Sequence, residues 1–325
     1  MSTAYASRRS VAHVDRDAAA SVGEVLRLLS AGAPGEILLA LRDGPMQTKV
    51  LTHQVKGYTA RTIYRYLPKL AELGLLERDD QPGGPARVVH TLDGGGGDEL
   101  SALFDRFATA SMTRLPGGQI DSREWAALGL LADLWKAGVI AALSRGATSP
   151  TELTRGLGVL SYHQLNRRAS RFKASGFLCA SRQSRRQRRC YALTRKARRT
   201  MGLIAGIGRW RRRYLAGEGL TVAEAATVLR VSLPLARVPD LSGAVIQLGI
   251  ADESGGAHLD LWVEVAEDGA VHLRESPGSR PDGWAEGTVD DWMAALIDGR
   301  TPVHVGVAGD CLIDLYERLW TPRPF

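Results

Sequence analysis

Apolar side chains recur at intervals of three and four through two long stretches of this chain, and that spacing predicts helices. In the first stretch, Leu26, Leu28 and Leu29 mark a helix over about 22–30. Ile37, Leu38 and Leu41 mark a second over 34–43, closed by Gly44. A short helix near 46–54 precedes Gly57-Tyr58 and a longer helix over 59–73, started by Thr59 and stopped by Gly74. The period then changes. Leu75-Leu76, a Gly- and Pro-rich turn at 79–85 and the run Arg87–Leu92 predict a β-hairpin, and a helix near 97–113 closes the unit.

The same pattern returns at an offset of 102 residues. Leu26, Leu28 and Leu29 fall on Leu128, Leu130 and Leu131, and Ile37, Leu38 and Leu41 on Val139, Ile140 and Leu143. Leu51 meets Leu153, Thr59 meets Ser161, Arg65 meets Arg167 and Gly74 meets Gly176; beyond that point the register reads as one residue longer in the second copy. The second copy therefore predicts helices near 124–133, 135–145, 150–156 and 161–175, a hairpin over 177–193 and a closing helix over 195–215. A short helix, a tight turn, a longer helix and a hairpin make a winged helix-turn-helix, whose second helix suits the DNA major groove.

The last third is patterned differently. Thr221 to Glu224 reads as a capping box opening a helix to about Val231. Leu259, Leu261, Val263 and Val265 alternate with Asp260, Trp262 and Glu264, the period of a half-buried strand. Strands are expected over 244–250, 258–266, 270–274 and 302–307, with helices over 289–298 and 310–319. The expected organisation is multidomain. A flexible tail (1–20) leads into two mainly α winged helix-turn-helix modules (21–115 and 121–217), followed by an α+β domain (218–325).

Charge divides the chain along the same boundaries. Of 325 residues, 42 are Lys or Arg and 35 Asp or Glu, a net of +7. Residues 123–217 hold 21 basic and 3 acidic side chains, whereas residues 218–325 hold 7 and 18. A cationic segment of that density attracts polyanions, because neutralising phosphates releases condensed counterions. An anionic membrane surface would attract it as well, and charge alone does not choose between the two; the winged-helix pattern makes double-stranded DNA the expected partner.

The two copies resemble the HxlR-type winged-helix regulators of bacteria. The resemblance is carried by ILLALRDGPMQTKVL and TARTIYRYLPKLAELGLLER in copy one. In copy two it rests on VIAALSRGATSPTEL, LSYHQLNRRASRFKASGFL and the Tyr191-Ala192-Leu193-Thr194 strand end, for which Val89-His90-Thr91-Leu92 is the looser counterpart. Such proteins usually pair one module per chain, so the resemblance implies a monomeric pseudo-dimer or a homodimer. Pro68 interrupts the first recognition helix where copy two has Ser170, which marks copy one as a weakened or re-aimed reader.

Near the start of a recognition helix, Asn and Gln pair with adenine and Arg with guanine. The base-reading candidates are Tyr162, His163, Gln164, Asn166 and Arg167 in copy two, with Ala60, Arg61, Thr62, Tyr64 and Arg65 as their equivalents in copy one, and Ser161 and Arg171 are further DNA-binding candidates. The second wing supplies Arg182, Arg185, Arg186, Arg188 and Arg189 for phosphates, followed by Arg195, Lys196, Arg198 and Arg199. Arg209 and Arg211 to Arg213 extend either that footprint or a subunit contact.

The last third is similar to sterol-carrier-protein-like domains in Gly283-Trp284-Ala285-Glu286-Gly287-Thr288, in Asp291-Trp292 to Asp298-Gly299, and in Val307-Ala308-Gly309-Asp310. The resemblance implies an apolar cavity for a lipid-, polyketide- or aromatic-like ligand. Its candidate lining is Leu229, Leu233, Ile246, Leu248, Leu261, Val263, Trp292 and Leu296. A filled core or a dimerisation domain is the alternative.

Other classes find less support in the sequence. The seven histidines are scattered, and no zinc-type spacing, GxSxG elbow or P-loop occurs, so neither an enzyme nor a metal or cofactor site is expected. Three sparse cysteines, no secretory leader and no apolar run long enough for a bilayer point to a cytoplasmic protein without a membrane partner. The expected function is a DNA-binding transcriptional regulator controlled by a small apolar metabolite. Sequestration of a toxic metabolite and non-specific DNA coating are the rival readings.

Overall fold

Thr59 sets where the longer helix of the first turn begins: its Oγ1 accepts from the N–H of Thr62 at 3.2 Å. The computed structural model describes residues 22–80, 88–116, 118–136, 139–144, 149–157, 162–183, 188–215, 219–235, 238–274, 280–298 and 304–305. The expected N-terminal tail and the helix expected over 310–319 lie outside them.

The first copy runs α1 (Val22–Ser30), α2 (Ala33–Leu41), β1 (Met46–Gln47), α3 (Thr48–Gln54), α4 (Ala60–Glu72), β2 (Leu76–Asp80), β3 (Val88–Leu92) and α5 (Gly96–Ser111). The strands form an antiparallel sheet in the order β1-β3-β2. β1 corrects the sequence reading, which began a helix at residue 46. Two residues carry no visible period, and only pairing with β3 makes them a strand. The joint is fixed from α3, where the buried Thr48 hydroxyl donates to Val88 O at 3.1 Å and lies 3.0 Å from His90 Nε2.

Pro68 sits inside α4 without ending it. It lies on the exposed face, one turn after the exposed Tyr64, whose carbonyl has no N–H to accept from at position 68.

The second copy runs α6 (Ser122–Lys136), α7 (Val139–Ser144), α8 (Pro150–Leu157), α9 (Tyr162–Ala174), β4 (Leu178–Gln183), β5 (Arg188–Leu193) and α10 (Arg195–Tyr214). Its core repeats that of the first position by position. Ile63, Leu67 and Leu70 on α4 are buried, as are Leu165, Ala169 and Phe172 at the matching positions of α9. Gly74 and Gly176 end these helices with φ of 68° and 74°, the left-handed region that glycine adopts without strain.

One register expectation is overturned. Leu76 pairs with Leu92, and Leu178 with Leu193, so the second hairpin is one residue shorter rather than longer. The Tyr191-Ala192-Leu193-Thr194 strand end therefore corresponds to His90-Thr91-Leu92-Asp93, not to residues 89–92. Asp93 N donates to Leu75 O and Thr194 N to Phe177 O, the same bond in each copy. Each residue then helps start the closing helix: Asp93 Oδ2 accepts from Gly96 N, and Thr194 Oγ1 from Ala197 N.

The third domain contains α11 (Val222–Ser232), β6 (Val245–Ala251), β7 (His258–Val265), β8 (Val271–Arg274), β9 (Gly283–Thr288), α12 (Val289–Asp298) and β10 (His304–Val305). The capping box of Thr221 and Glu224 is present with both bonds made. The five strands are ordered β10-β9-β6-β7-β8, with β6 and β9 parallel and the other neighbours antiparallel. β9 was not expected as a strand. Its inward positions are Gly283, Ala285 and Gly287 and its outward ones Trp284 and Glu286, so small residues hide the alternation.

The chain is thus mixed α/β. Equivalent helices of the two copies pack on each other, α1 on α6 and α5 on α10, and α10 also packs against α11 and α12 of the third domain. One apolar core runs through all three parts. Among the described residues no helix is long and apolar enough to cross a membrane.

Candidate nucleic-acid interface

Burial of one face of α4 and α9 leaves the opposite face to solvent. On α4 that face carries Arg61, Tyr64, Arg65, Pro68 and Lys69, with Tyr64 55% exposed. Arg65 lies 4.7 Å over the Tyr66 ring and donates to the Tyr66 hydroxyl at 3.1 Å, which holds the guanidinium along the helix. On α9 the exposed face carries His163, Gln164, Arg167, Ser170 and Arg171, and Asn166 is half-buried at its edge. Tyr162 begins α9, but its side chain lies outside the described residues, as does Ser161 altogether.

Sequence reasoning missed Lys69, although it is exposed at the position matching Arg171. The repeat itself was the available signal. The helix expected near 46–54 is present as α3, but its exposed Lys49 and Val50 were not among the candidates.

The two hairpins differ in charge. Strand β2 exposes Glu77, Asp79 and Asp80, and Arg78 is paired with Asp80 at 2.8 Å. Strand β4 carries no acid, and its ladder sets Arg182 opposite Arg189 and Gln183 opposite Arg188. Arg185, Arg186 and the side chains of Arg182, Arg188 and Arg189 lie outside the described residues.

Much of the charge on α10 is engaged inside the molecule, including Lys196, Arg198 and Arg199, which the sequence placed at phosphates. Lys196 pairs with Glu124 at 2.6 Å and lies 5.4 Å over the Phe177 ring. Arg198 donates to Val231 O at 3.4 Å, and burial pushes its guanidinium pKa down. Arg199 donates to Ala110 O at 3.3 Å. Further along, Arg209 is buried, Arg212 pairs with Glu253 at 3.1 Å and Asp290 at 3.2 Å, and Arg213 pairs with Glu99 at 2.8 Å. Burial raises the Asp290 carboxyl above its ordinary range despite Arg212. Arg195 is exposed at the start of the helix.

The eight residues named as a ligand lining are all buried. Ile246 pairs with Val263 and Leu248 with Leu261 across β6 and β7, and α11 and α12 cover that face with Leu229, Trp292 and Leu296, followed by Leu233. Trp292 Nε1 donates to Gly249 O at 2.8 Å, which satisfies the one polar atom of the buried indole. These side chains are the core of the third domain.

No protein-family model, curated protein or solved structure matches the chain.

Proposed function

We propose that this chain is a DNA-binding transcription regulator in which each copy is a winged helix-turn-helix module and the second is the stronger reader. The observation that carries this reading is the polarity of α9. Leu165, Ala169 and Phe172 anchor one face, and His163, Gln164, Arg167 and Arg171 stand exposed on the other. A helix held by its apolar side and studded with amide and guanidinium groups is chemically matched to base edges. The arginine-rich hairpin beside it supports the same reading. Like charges directly opposite in a ladder are unfavourable, so the Arg182–Arg189 register pair favours an anionic partner.

Control by a small apolar ligand is the second element of the proposal, supported by the apolar interior enclosed by α11, α12 and the five-stranded sheet. A ligand acts on DNA affinity only by preferring one arrangement of the modules, and α10 touches both the first copy and the third domain.

The test is footprinting on DNA upstream of the chain's own gene, across salt and across lipid-like, polyketide-like and aromatic compounds. A discrete protected site, lost in Asn166→Ala/Arg167→Ala, supports the regulator. Uniform salt-sensitive coating indicates a non-specific binder. Compound binding without any DNA binding indicates sequestration.

A further inference from the structure

The packing of the two copies carries a statement about the shape of the DNA target. Matching elements meet: α1 packs on α6 and α5 on α10. The cross contacts match as well, because α1 touches α10, while Phe104 of α5 stacks on Trp125 of α6 at 5.2 Å. Exchanging the copies turns each of these contacts into the other. The same face is buried on both leading helices, where Val25, Leu26 and Leu29 match Ala127, Leu128 and Leu131. Elements that meet their own counterparts through the same face define an isologous contact, the signature of a two-fold axis. The two modules are therefore related by an internal pseudo-dyad, like the subunits of a dimer.

The exposed faces presented across that dyad are unlike. One offers Arg61, Tyr64 and Arg65, and the other His163, Gln164, Asn166 and Arg167. Guanidinium groups favour guanine, whereas Gln and Asn favour adenine. The hairpins are unlike too, since β2 exposes three carboxylates that repel phosphate and β4 carries none.

We propose that one chain binds one operator made of two half-sites in inverted orientation but of different sequence. The guanine-rich half is read weakly by α4, and the half containing adenine and guanine is read tightly by α9. This rests on the DNA-binding reading above and adds the stoichiometry, geometry and asymmetry of the site. A symmetric dimer needs a palindrome and two chains; here the dyad is internal, and its two sides have diverged.

The test is selection of the full-length chain against random duplexes, followed by native mass measurement on the enriched DNA. The expected result is a two-part, non-palindromic site with one chain per duplex. Arg61→Ala/Arg65→Ala should relax preference only in the weaker half. Asn166→Ala/Arg167→Ala should relax only the other, with roughly 5- to 150-fold lost per base contact. Arg61, Arg65 and Arg167 are exposed and Asn166 is half-buried, and circular dichroism checks that each variant is folded. A palindromic site carrying two chains overturns the inference and leaves the DNA-binding reading standing. Recovery of no sequence preference overturns both.

Discussion

Trp210 on α10 donates its indole N–H to the carbonyl of Gly96 at 2.7 Å, joining residues 114 positions apart. The ring is fully buried against the start of α5, where Glu99 also receives Arg213 and the Tyr214 hydroxyl. This cluster locks the closing helix of one copy to that of the other. Trp210→Phe keeps most of the volume but deletes the donor, and should cost about 1–3 kcal/mol. Trp210→Ala should cost about 3–5 kcal/mol through the cavity it leaves. Urea unfolding of the full chain measures both, and equal stability of Trp210→Phe and wild type would refute the bond's contribution.

The glycine run before α5 gives a sharper contrast. A Cβ on Gly97 would lie 2.2 Å from the Leu75 carbonyl oxygen, a backbone atom that has no rotamer to escape into. A Cβ on Gly94 would meet nothing within 4 Å. Gly97→Ala should destabilise the chain by about 1–3 kcal/mol, while Gly94→Ala leaves the melting temperature within error. Calorimetry on the pair distinguishes close packing from simple loop freedom.

His90 makes stability depend on pH in a defined direction. Burial, assisted by Arg78, lowers its pKa below the ordinary value of 6.5. Thr48 already donates its hydroxyl proton to Val88 O, which assigns the contact to a proton on His90 Nε2 in the neutral ring. Below the unfolded pKa the unfolded chain takes up a proton that the folded chain refuses. Stability from this group is therefore full above about pH 6.5 and falls as pH drops toward the lowered folded value. His90→Gln retains a donor toward Thr48 without titrating and should flatten that part of the profile, as read from unfolding midpoints between pH 7 and 5.

Salt dependence should separate the hairpin arginines from those on α10. Each phosphate contact adds about 0.9 to the slope of log affinity against log salt. Replacing Arg182 and Arg189 with Gln should lower that slope by about two. Replacing Arg212, which pairs with Glu253 and Asp290, should leave the slope unchanged. A slope insensitive to the hairpin changes would remove the wing from the interface.

The helices were legible because their buried positions carry large apolar residues at helical spacing; Ile63, Leu67 and Leu70 already announce which side of α4 is hidden. The exposed faces of α4 and α9 followed from the same periodicity. β1 and β9 were not legible, one because two residues have no period, the other because Gly283, Ala285 and Gly287 turn inward without apolar bulk. The role of the α10 cations was hidden for a different reason. Composition counts charges, whereas Glu99, Glu124, Glu253 and Asp290 reach them from distant parts of the chain, and only the folded arrangement shows which arginines are already engaged.

Arg212 fastens the acidic third domain to one flank of the paired modules, and that domain occurs once in the chain. The molecule accordingly has handed ends, as a key has a bow and a blade. On the DNA-binding reading proposed above, the duplex is given a direction, and turning it end for end would place the third domain on the other side of the site.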